Sequence, residues 1–194
     1  MAHIVLFHHV LGLTSGVQAL ARSLEARGHR VTSPDLFRGQ TFPTLQAGLA
    51  HVADIGDEEL LRRAELACAE LVSDVVYAGL SLGAVPAQHL LATRPGARGG
   101  LLLHAFVDPT QLAGTWPEDC PVGVFAMEDD PFFAGDGDLD AARAWQRTHP
   151  SLSIRLYPGH EHLFTEPALE DYDPRATETL VDDGACFLDR CDAP

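Results

Sequence analysis

Residues 75 to 83 read Val75-Val76-Tyr77-Ala78-Gly79-Leu80-Ser81-Leu82-Gly83. The apolar first four residues predict a buried strand. A Gly-x-Ser-x-Gly pattern follows at once, and a helical stretch begins at Leu82. A sharp strand-to-helix turn of this form holds the serine in strained backbone geometry, with its hydroxyl exposed above the sheet. Ser81 is therefore the predicted nucleophile.

Short apolar runs alternate with longer amphipathic ones along the rest of the chain. The predicted strands are Ile4 to His8, Arg30 to Ser33, Val75 to Ala78, Gly100 to His104, Val122 to Met127 and Ser153 to Tyr157. The predicted helices are Gly16 to Arg27, Asp57 to Leu71, Leu82 to Arg94, Leu139 to Thr148 and Pro174 to Asp189. Nearly continuous apolar strands are typical of a parallel sheet that helices cover on both faces. The alternation predicts a single α/β domain over residues 1–194, with a doubly wound, mostly parallel sheet.

Length, composition and charge limit the function classes. The chain has 194 residues, of which 46% are hydrophobic and 21% charged, and these values are ordinary for a globular domain. Its formal net charge of −15 disfavours binding to nucleic acid or to an anionic membrane. The N-terminus resembles a first strand more than a signal peptide, and the four cysteines fit no zinc or thioredoxin pattern. We therefore expect free thiols and a cytoplasmic protein.

A serine nucleophile needs a neighbouring base, and a histidine lies in the right place to supply it. The last predicted strand ends in Pro158-Gly159-His160-Glu161-His162-Leu163-Phe164. Loops at the carboxyl ends of parallel strands meet at one edge of the sheet, where the serine also points. We favour His162 over His160 as the base, because His162 lies deeper in the loop beside two apolar residues.

The acid that orients the base is expected after the strand Val122 to Met127. That strand leads into Glu128-Asp129-Asp130-Pro131-Phe132. The resulting chain order of serine, acid and histidine is the order that hydrolases of this architecture use. Only one of the two adjacent aspartates can face the imidazole. We favour Asp130, and Asp129 is the alternative.

The backbone near the serine offers donors for an oxyanion. The first amides of a helix point towards its N-terminus, so the Leu82 N–H is one predicted donor. The turn after the first strand, His8-His9-Val10-Leu11-Gly12, is the expected source of the second, with the Val10 N–H favoured. Because side chains alternate along a strand, one of His8 and His9 is expected to face the cleft. His104 closes another strand at the same edge and is a candidate pocket residue.

A metal site is the main chemical alternative. Its ligands would come from the two histidine pairs and the acidic loop, namely His8, His9, His160, His162, Asp129 and Asp130. Such a mixed nitrogen and oxygen set could bind a divalent cation. It would leave the glycine-flanked Ser81 unexplained, and we therefore predict neither a metal nor a cofactor.

Five segments together resemble the dienelactone hydrolase family of α/β-hydrolases, over nearly the whole chain. They are Leu6 to Gly12, Gly28-His29 leading to Pro34-Asp35-Leu36-Phe37-Arg38-Gly39, Gly79 to Gly83, Glu128 to Phe132 and Tyr157 to Phe164. The resemblance implies an α/β-hydrolase fold. Matching the loops residue by residue implies Ser81, Asp130 and His162 as the catalytic triad. With few residues to spare outside the core, the chain is expected to have a minimal lid or none.

Two positions depart from that family's pattern. Its best-known members carry a cysteine at the position of Ser81 and a glutamate at the position of His9. The serine resembles that of an ordinary esterase, so the lactone substrate does not carry over. His9, Arg38 and His104 are the candidate substrate-binding residues, with Arg38 the nearest counterpart of the basic residues that hold a lactone carboxylate.

The sequence thus predicts an enzyme that cleaves a small ester, lactone or thioester through an acyl-enzyme on Ser81. The alternative is a catalytically silent protein of the same fold that binds a ligand. The expected partner is a small-molecule ester or lactone, with no nucleic acid and no membrane, and a homodimer is compatible with the sequence.

Overall fold

The computed structural model describes residues 1–192 and forms one six-stranded sheet flanked by helices. The strands are β1 (His3–Phe7), β2 (Arg30–Thr32), β3 (Val76–Leu80), β4 (Gly99–Leu103), β5 (Val122–Met127) and β6 (Leu152–Tyr157). The α-helices within these residues are α1 (Ser15–Ala26), α2 (Leu45–Ile55), α3 (Asp57–Cys68), α4 (Ala84–Thr93), α5 (Asp138–Gln146) and α6 (Pro174–Cys191). None of these helices combines the length and the apolar character that crossing a membrane requires.

The strand order creates a crevice at the centre of the sheet. The order is β2-β1-β3-β4-β5-β6, and every neighbouring pair is parallel. The winding direction reverses between β1 and β3. In open sheets of this kind, ligands bind outside the carboxyl ends of the strands at such a reversal. The loop after β1 and the turn after β3 therefore border the expected binding site.

Alternating side chains of the strands pack into two separate hydrophobic cores, one on each face of the sheet. In β1, Val5 and Phe7 face one side of the sheet, whereas Ile4 and Leu6 face the other. The first core is completed by apolar faces of α3, α4 and α5, and the second by those of α1 and α6. The doubly wound α/β fold with helices on both faces, predicted from the apolar strand pattern, is confirmed.

The predicted elements agree with the structure except in one segment. Each predicted strand is present, with ends within two residues of those observed. Residues Ser81–Gly83 form a 3-10 turn before α4, so the regular helix begins at Ala84 and not at Leu82. Helix α2 is the exception, because the sequence pattern predicts no element between Phe37 and Asp57, where the structure has an 11-residue helix. Its N-terminus is capped by the Thr44 hydroxyl, which accepts the Ala47 N–H.

Candidate active site

Ser81 lies at the tip of a turn that only small neighbours allow. Its φ of 49° is in the left-handed region, which a non-glycine residue seldom adopts. A side chain at Gly79 would collide with the backbone of Gly83, and one at Gly83 would collide with the backbone of Phe7 at the end of β1. The two glycines therefore let β3, the turn and β1 pack closely, and this packing holds the serine in its strained conformation.

Ser81 is the first member of a hydrogen-bonded chain of three side chains. Its Oγ lies 2.8 Å from Nε2 of His162, and Nδ1 of His162 lies 2.8 Å from Oδ2 of Asp130. Because a carboxylate only accepts, the Nδ1–H donates to Asp130 and Nε2 is left to accept the serine O–H. This tautomer is the one in which the imidazole can take the proton of the hydroxyl.

Asp130 is fully buried and has several partners. Its Oδ1 accepts the backbone N–H groups of Phe132 and Phe133, at 2.8 and 3.2 Å, while Oδ2 faces His162. These amides fix the plane of the carboxylate, so that Oδ2 is oriented towards the imidazole of His162. Asp129 and His160, the alternatives that the sequence offered, are both exposed. The structure therefore joins Asp130 and His162, as favoured from the sequence, and leaves their neighbours outside.

His104 lies directly behind His162. Its ring centroid is 6.0 Å from that of His162, and its Nε2 lies 3.1 Å from the Thr165 hydroxyl. Complete burial, with smaller effects from His162 and His9, lowers the pKa of His104 well below its ordinary value. His104 is therefore neutral near pH 7, and its buried ring borders the cleft.

His8 is built into the backbone of the loop after β1. Its Nε2 accepts the Leu36 N–H at 3.1 Å, so its Nδ1–H donates to the His9 carbonyl at 2.8 Å. Burial is the main cause that lowers the pKa of His8, to about 4. The imidazole therefore remains neutral and keeps both bonds at ordinary pH.

Two of the predicted substrate-binding residues lie elsewhere. His9 is buried beneath the loop, where its Nε2–H donates to Oε2 of Glu166 at 3.0 Å, so it does not line the cleft. The expectation that His8 or His9 faces the cleft was wrong, because both rings bind to groups within the fold. Arg38 points into solvent beside Glu59, 3.3 Å away, and the prediction that it holds a substrate carboxylate was also wrong.

The cleft above Ser81 is small and mostly apolar. Its volume is about 280 Å³. Its walls are formed by Val10, Leu45, Leu49, Ser81, Leu82, Val85, His104, Ala105, Val107, Phe132, Asp136, Asp138 and His162. Both residues predicted to donate to an oxyanion, Val10 and Leu82, are among them. The charged groups on these walls are the carboxylates of Asp136 and Asp138, and no lysine or arginine is present.

The metal-site alternative requires a cluster of ligand side chains at the site. Within residues 1–192, no group of three or more His, Cys, Asp or Glu side chains is arranged to hold a metal ion. The histidines that could have joined the site point in different directions. His8 and His9 bind to loop and carboxylate groups, and His160 is exposed next to Glu161.

Solved structures share this fold. A dienelactone hydrolase-like promiscuous phosphotriesterase from metagenomic libraries aligns with a TM-score of 0.72 at 18% identity, covering 98% of this chain and 86% of that one. A dienelactone hydrolase from Anabaena variabilis aligns with a TM-score of 0.68 at 19% identity, over 97% and 86% of the two chains. A pyrethroid hydrolase aligns with a TM-score of 0.61 at 18% identity, over 97% and 98%. The curated proteins contain no match to this chain.

A parallel sheet in this order, with a serine on the turn after β3 and a histidine after β6, defines an α/β-hydrolase. The family model described as the dienelactone hydrolase family matches residues 1–190. The chain therefore belongs to the dienelactone hydrolase family, and the resemblance stated from the sequence is confirmed.

Proposed function

We propose that this protein is a serine hydrolase that cleaves small carboxylic esters through an acyl-enzyme on Ser81. The single observation that carries the proposal is the unbroken hydrogen-bonded chain from the Ser81 hydroxyl through His162 to the buried Asp130. In this arrangement the imidazole activates the hydroxyl, and the carboxylate holds the required tautomer and stabilises the imidazolium that forms.

In the acylation half-reaction, the Ser81 Oγ attacks the ester carbonyl while its proton moves to Nε2 of His162. The tetrahedral intermediate then expels the alcohol, which leaves with the proton from His162. In the second half-reaction His162 deprotonates a water molecule, which attacks the acyl carbonyl; the bond to the Ser81 Oγ then breaks, Oγ takes the proton back from His162, and the acid is released. Each half-reaction returns His162 to its neutral form.

Two amides would bind the negative charge that develops on the carbonyl oxygen. Leu82 directly follows the nucleophile, and Val10 follows β1 on the other side of the crevice. A preorganised donor is worth about 10²–10³-fold in kcat, because it acts most strongly on the oxyanion of the transition state. Both amides are backbone groups, so the substitutions that test them must act through the residues that orient them.

The shape of the cleft favours a small substrate with an apolar acyl group. A volume of about 280 Å³ suits a short acyl chain, and Leu45, Leu49 and Phe132 supply apolar walls. Asp136 and Asp138 give the cleft a negative potential with no basic side chain to offset it. Neutral esters should therefore react better than lactones or esters that carry a carboxylate. Among the residues predicted to bind substrate, His104 borders the cleft, and because its ring is completely buried we assign it to supporting His162 and not to a polar contact with the substrate.

The test is the pair Ser81→Ala and Ser15→Ala, since Ser15 is an exposed serine on α1. We expect Ser81→Ala to abolish hydrolysis of p-nitrophenyl acetate and labelling by a fluorophosphonate probe, with an unchanged circular dichroism spectrum. Ser15→Ala should retain both. Labelling that persists in folded Ser81→Ala would refute the nucleophile assignment.

The same experiment separates the enzyme from a ligand-binding relative without turnover. A wild-type protein that hydrolyses no ester in a p-nitrophenyl panel and takes up no probe would support the silent alternative. Its cleft would then bind small apolar ligands, as the walls around Leu45 and Val85 allow.

We also propose that the chain acts as a single domain on a small molecule in the cytoplasm. The exposed thiol of Cys186 supports a reducing compartment, because an exposed unpaired cysteine is readily oxidised elsewhere.

A further inference from the structure

A second carboxylate–imidazole pair lies beneath the site, and the proposed reaction leaves it without a role. His9 and Glu166 are each only 1% exposed, and Nε2 of His9 lies 3.0 Å from Oε2 of Glu166. The Leu11 N–H donates to Nδ1 of His9 at 3.3 Å, so the ring carries its proton on Nε2 and donates it to the carboxylate. The pair is therefore a directed hydrogen bond between two segments 157 residues apart.

Glu166 is held from several sides. Its carboxylate also accepts the Thr14 hydroxyl and the Ala168 N–H. Burial acts to raise the pKa of Glu166, but the hydrogen bonds from His9, Thr14 and Ala168 outweigh it, and the net pKa is lowered. Gly16 packs so closely that a side chain there would collide with the carboxylate. Glu166 is thus a fixed, ionised anchor four residues after His162.

The anchor acts on the peptide group that joins His9 to Val10. The carbonyl of that group accepts two hydrogen bonds, from His8 Nδ1–H at 2.8 Å and from the Gly12 N–H at 3.0 Å. In a trans peptide the N–H points opposite to the carbonyl, so fixing the carbonyl fixes the direction of the Val10 N–H. The side chain of His9 is attached to the Cα next to that carbonyl, so its hydrogen bond to Glu166 restrains the same peptide group.

We propose that His9 and Glu166 are positioning residues that hold the Val10 amide ready for the oxyanion, by tying the loop after β1 to the loop that carries His162. This inference rests on the proposed function. The pair touches no reacting atom, so it works through the two loops it joins. One buried contact thereby sets the spacing between the oxyanion donor and the base.

An oxyanion donor contributes in the transition state, whereas the ground-state ester binds through the apolar walls. Loosening the Val10 amide should therefore lower kcat and kcat/KM by the same factor and leave KM nearly unchanged. A merely structural role for the pair would lower thermal stability without this kinetic pattern. The split between kcat and KM is thus the decisive readout.

The test compares His9→Asn with His9→Gln. The amide nitrogen of glutamine can reach the position of the imidazole Nε2 and donate to Glu166, whereas asparagine is too short. We expect His9→Asn to lower kcat for p-nitrophenyl acetate about tenfold to hundredfold, with KM within about twofold of wild type. His9→Gln should restore kcat to within about threefold of wild type. The rate of inactivation by a fluorophosphonate should follow kcat, since that reagent also develops charge on an oxygen beside Ser81.

Two further variants separate positioning from stability. Asp173→Ala removes the side-chain cap of α6, lies outside the cleft walls and keeps the backbone N–H that binds the Phe164 carbonyl, so it should lower Tm by about 2–4 °C with kcat unchanged. Glu166→Gln keeps one oxygen for His9 but loses the charge and an acceptor for Ala168, so it should lower kcat by less than His9→Asn does. If His9→Asn fails to fold, Glu166→Gln and His9→Gln still give the comparison.

The outcomes distinguish this inference from the proposed function. If wild type hydrolyses the ester and is labelled on Ser81, but His9→Asn and Glu166→Gln keep wild-type kcat and inactivation rates, the positioning role is overturned and the serine mechanism stands. A loss of kcat in His9→Asn that His9→Gln does not restore would also overturn it. A wild-type protein with no turnover and no labelling would overturn both.

Discussion

At the scale of single residues, the proposed chemistry depends on how Asp130 divides its two oxygens. Oδ1 accepts two backbone amides, and Oδ2 accepts the Nδ1–H of His162. An asparagine in this place can keep its oxygen on the amides of Phe132 and Phe133, and its NH₂ group then faces Nδ1. Two donors cannot share that contact, so the imidazole must move its proton to Nε2, where it can no longer accept from Ser81.

We therefore predict that Asp130→Asn lowers kcat about 10⁴-fold and leaves the fold intact. The measurement is steady-state hydrolysis of p-nitrophenyl acetate, with Tm as the check on folding. Asp129→Asn is the matched control, because the neighbouring carboxylate is exposed and belongs to the same loop. If the control loses as much activity as Asp130→Asn, the carboxylate has been assigned wrongly.

Ser81, Asp130 and His162 could be predicted because each lies within five residues of the carboxyl end of a strand, and parallel strands bring such positions to one edge of the sheet. The pairing of His9 with Glu166 could not be predicted, since neither loop has a periodic pattern and the two residues are 157 positions apart. Arg38 was proposed as the nearest counterpart of the basic residues that hold a lactone carboxylate in the family. It lies on the surface, 3.3 Å from Glu59 of α3, and does not line the cleft.

At the scale of elements, α2 supplies part of the wall of the cleft. Leu45 and Leu49, one turn apart, point into the cleft, and Val52, near the next turn, packs against the core. This spacing of apolar residues after Thr44 was a usable helix signal. The only fully buried residue of the helix is Gly48, however, so its pattern is weaker than that of the core helices.

Helix α2 should select the length of the acyl group. We predict that Leu49→Ala raises KM for p-nitrophenyl butyrate about threefold to tenfold, because part of a leucine side chain no longer covers the acyl chain. The value for p-nitrophenyl acetate should change little. Comparing kcat and KM for the two esters measures this directly.

Leu66→Ala is the control for that variant. Leu66 is 59% exposed on α3 and Leu49 is 54% exposed on α2, but Leu66 does not line the cleft. It should leave both esters unaffected. Equal effects of the two substitutions would mean that α2 does not contact the acyl group.

At the scale of the whole molecule, the net charge of the protein has the same sign as the charged groups on the walls of the cleft. The formal net charge is −15, and the cleft adds Asp136 and Asp138 without a cation on its walls. Burial, followed by smaller effects that include Asp136, raises the pKa of Asp138. Both the long-range field and the local carboxylates should therefore repel an anionic substrate.

We predict that a choline ester reacts with a higher kcat/KM than a succinate monoester of similar size. The ratio should be about tenfold or more at low ionic strength and should fall as salt screens the charges. Measuring kcat/KM for both esters between low and high sodium chloride gives the answer. A ratio below one at every salt concentration would contradict the predicted preference for a cationic ester over an anionic one.

Two substitutions four residues apart show whether the carboxylates of the cleft or the charge of the whole surface is responsible. Asp136→Asn removes a charge from the cleft wall, whereas Asp140→Asn removes one from an exposed position on α5 that does not line it. Both change the net charge by one unit. We expect only Asp136→Asn to reduce the ratio clearly, by about twofold or more.

The most direct measurement is the identity of the residue that carries the acyl group during turnover. The reaction with p-nitrophenyl acetate is stopped with acid within the first turnover, and the protein is digested and mapped by mass spectrometry. We predict one acetyl group per chain, on Ser81, and none in Ser81→Ala. An acetyl group on a histidine or a cysteine, with Ser81 unmodified while the ester is consumed, would contradict a serine acyl-enzyme.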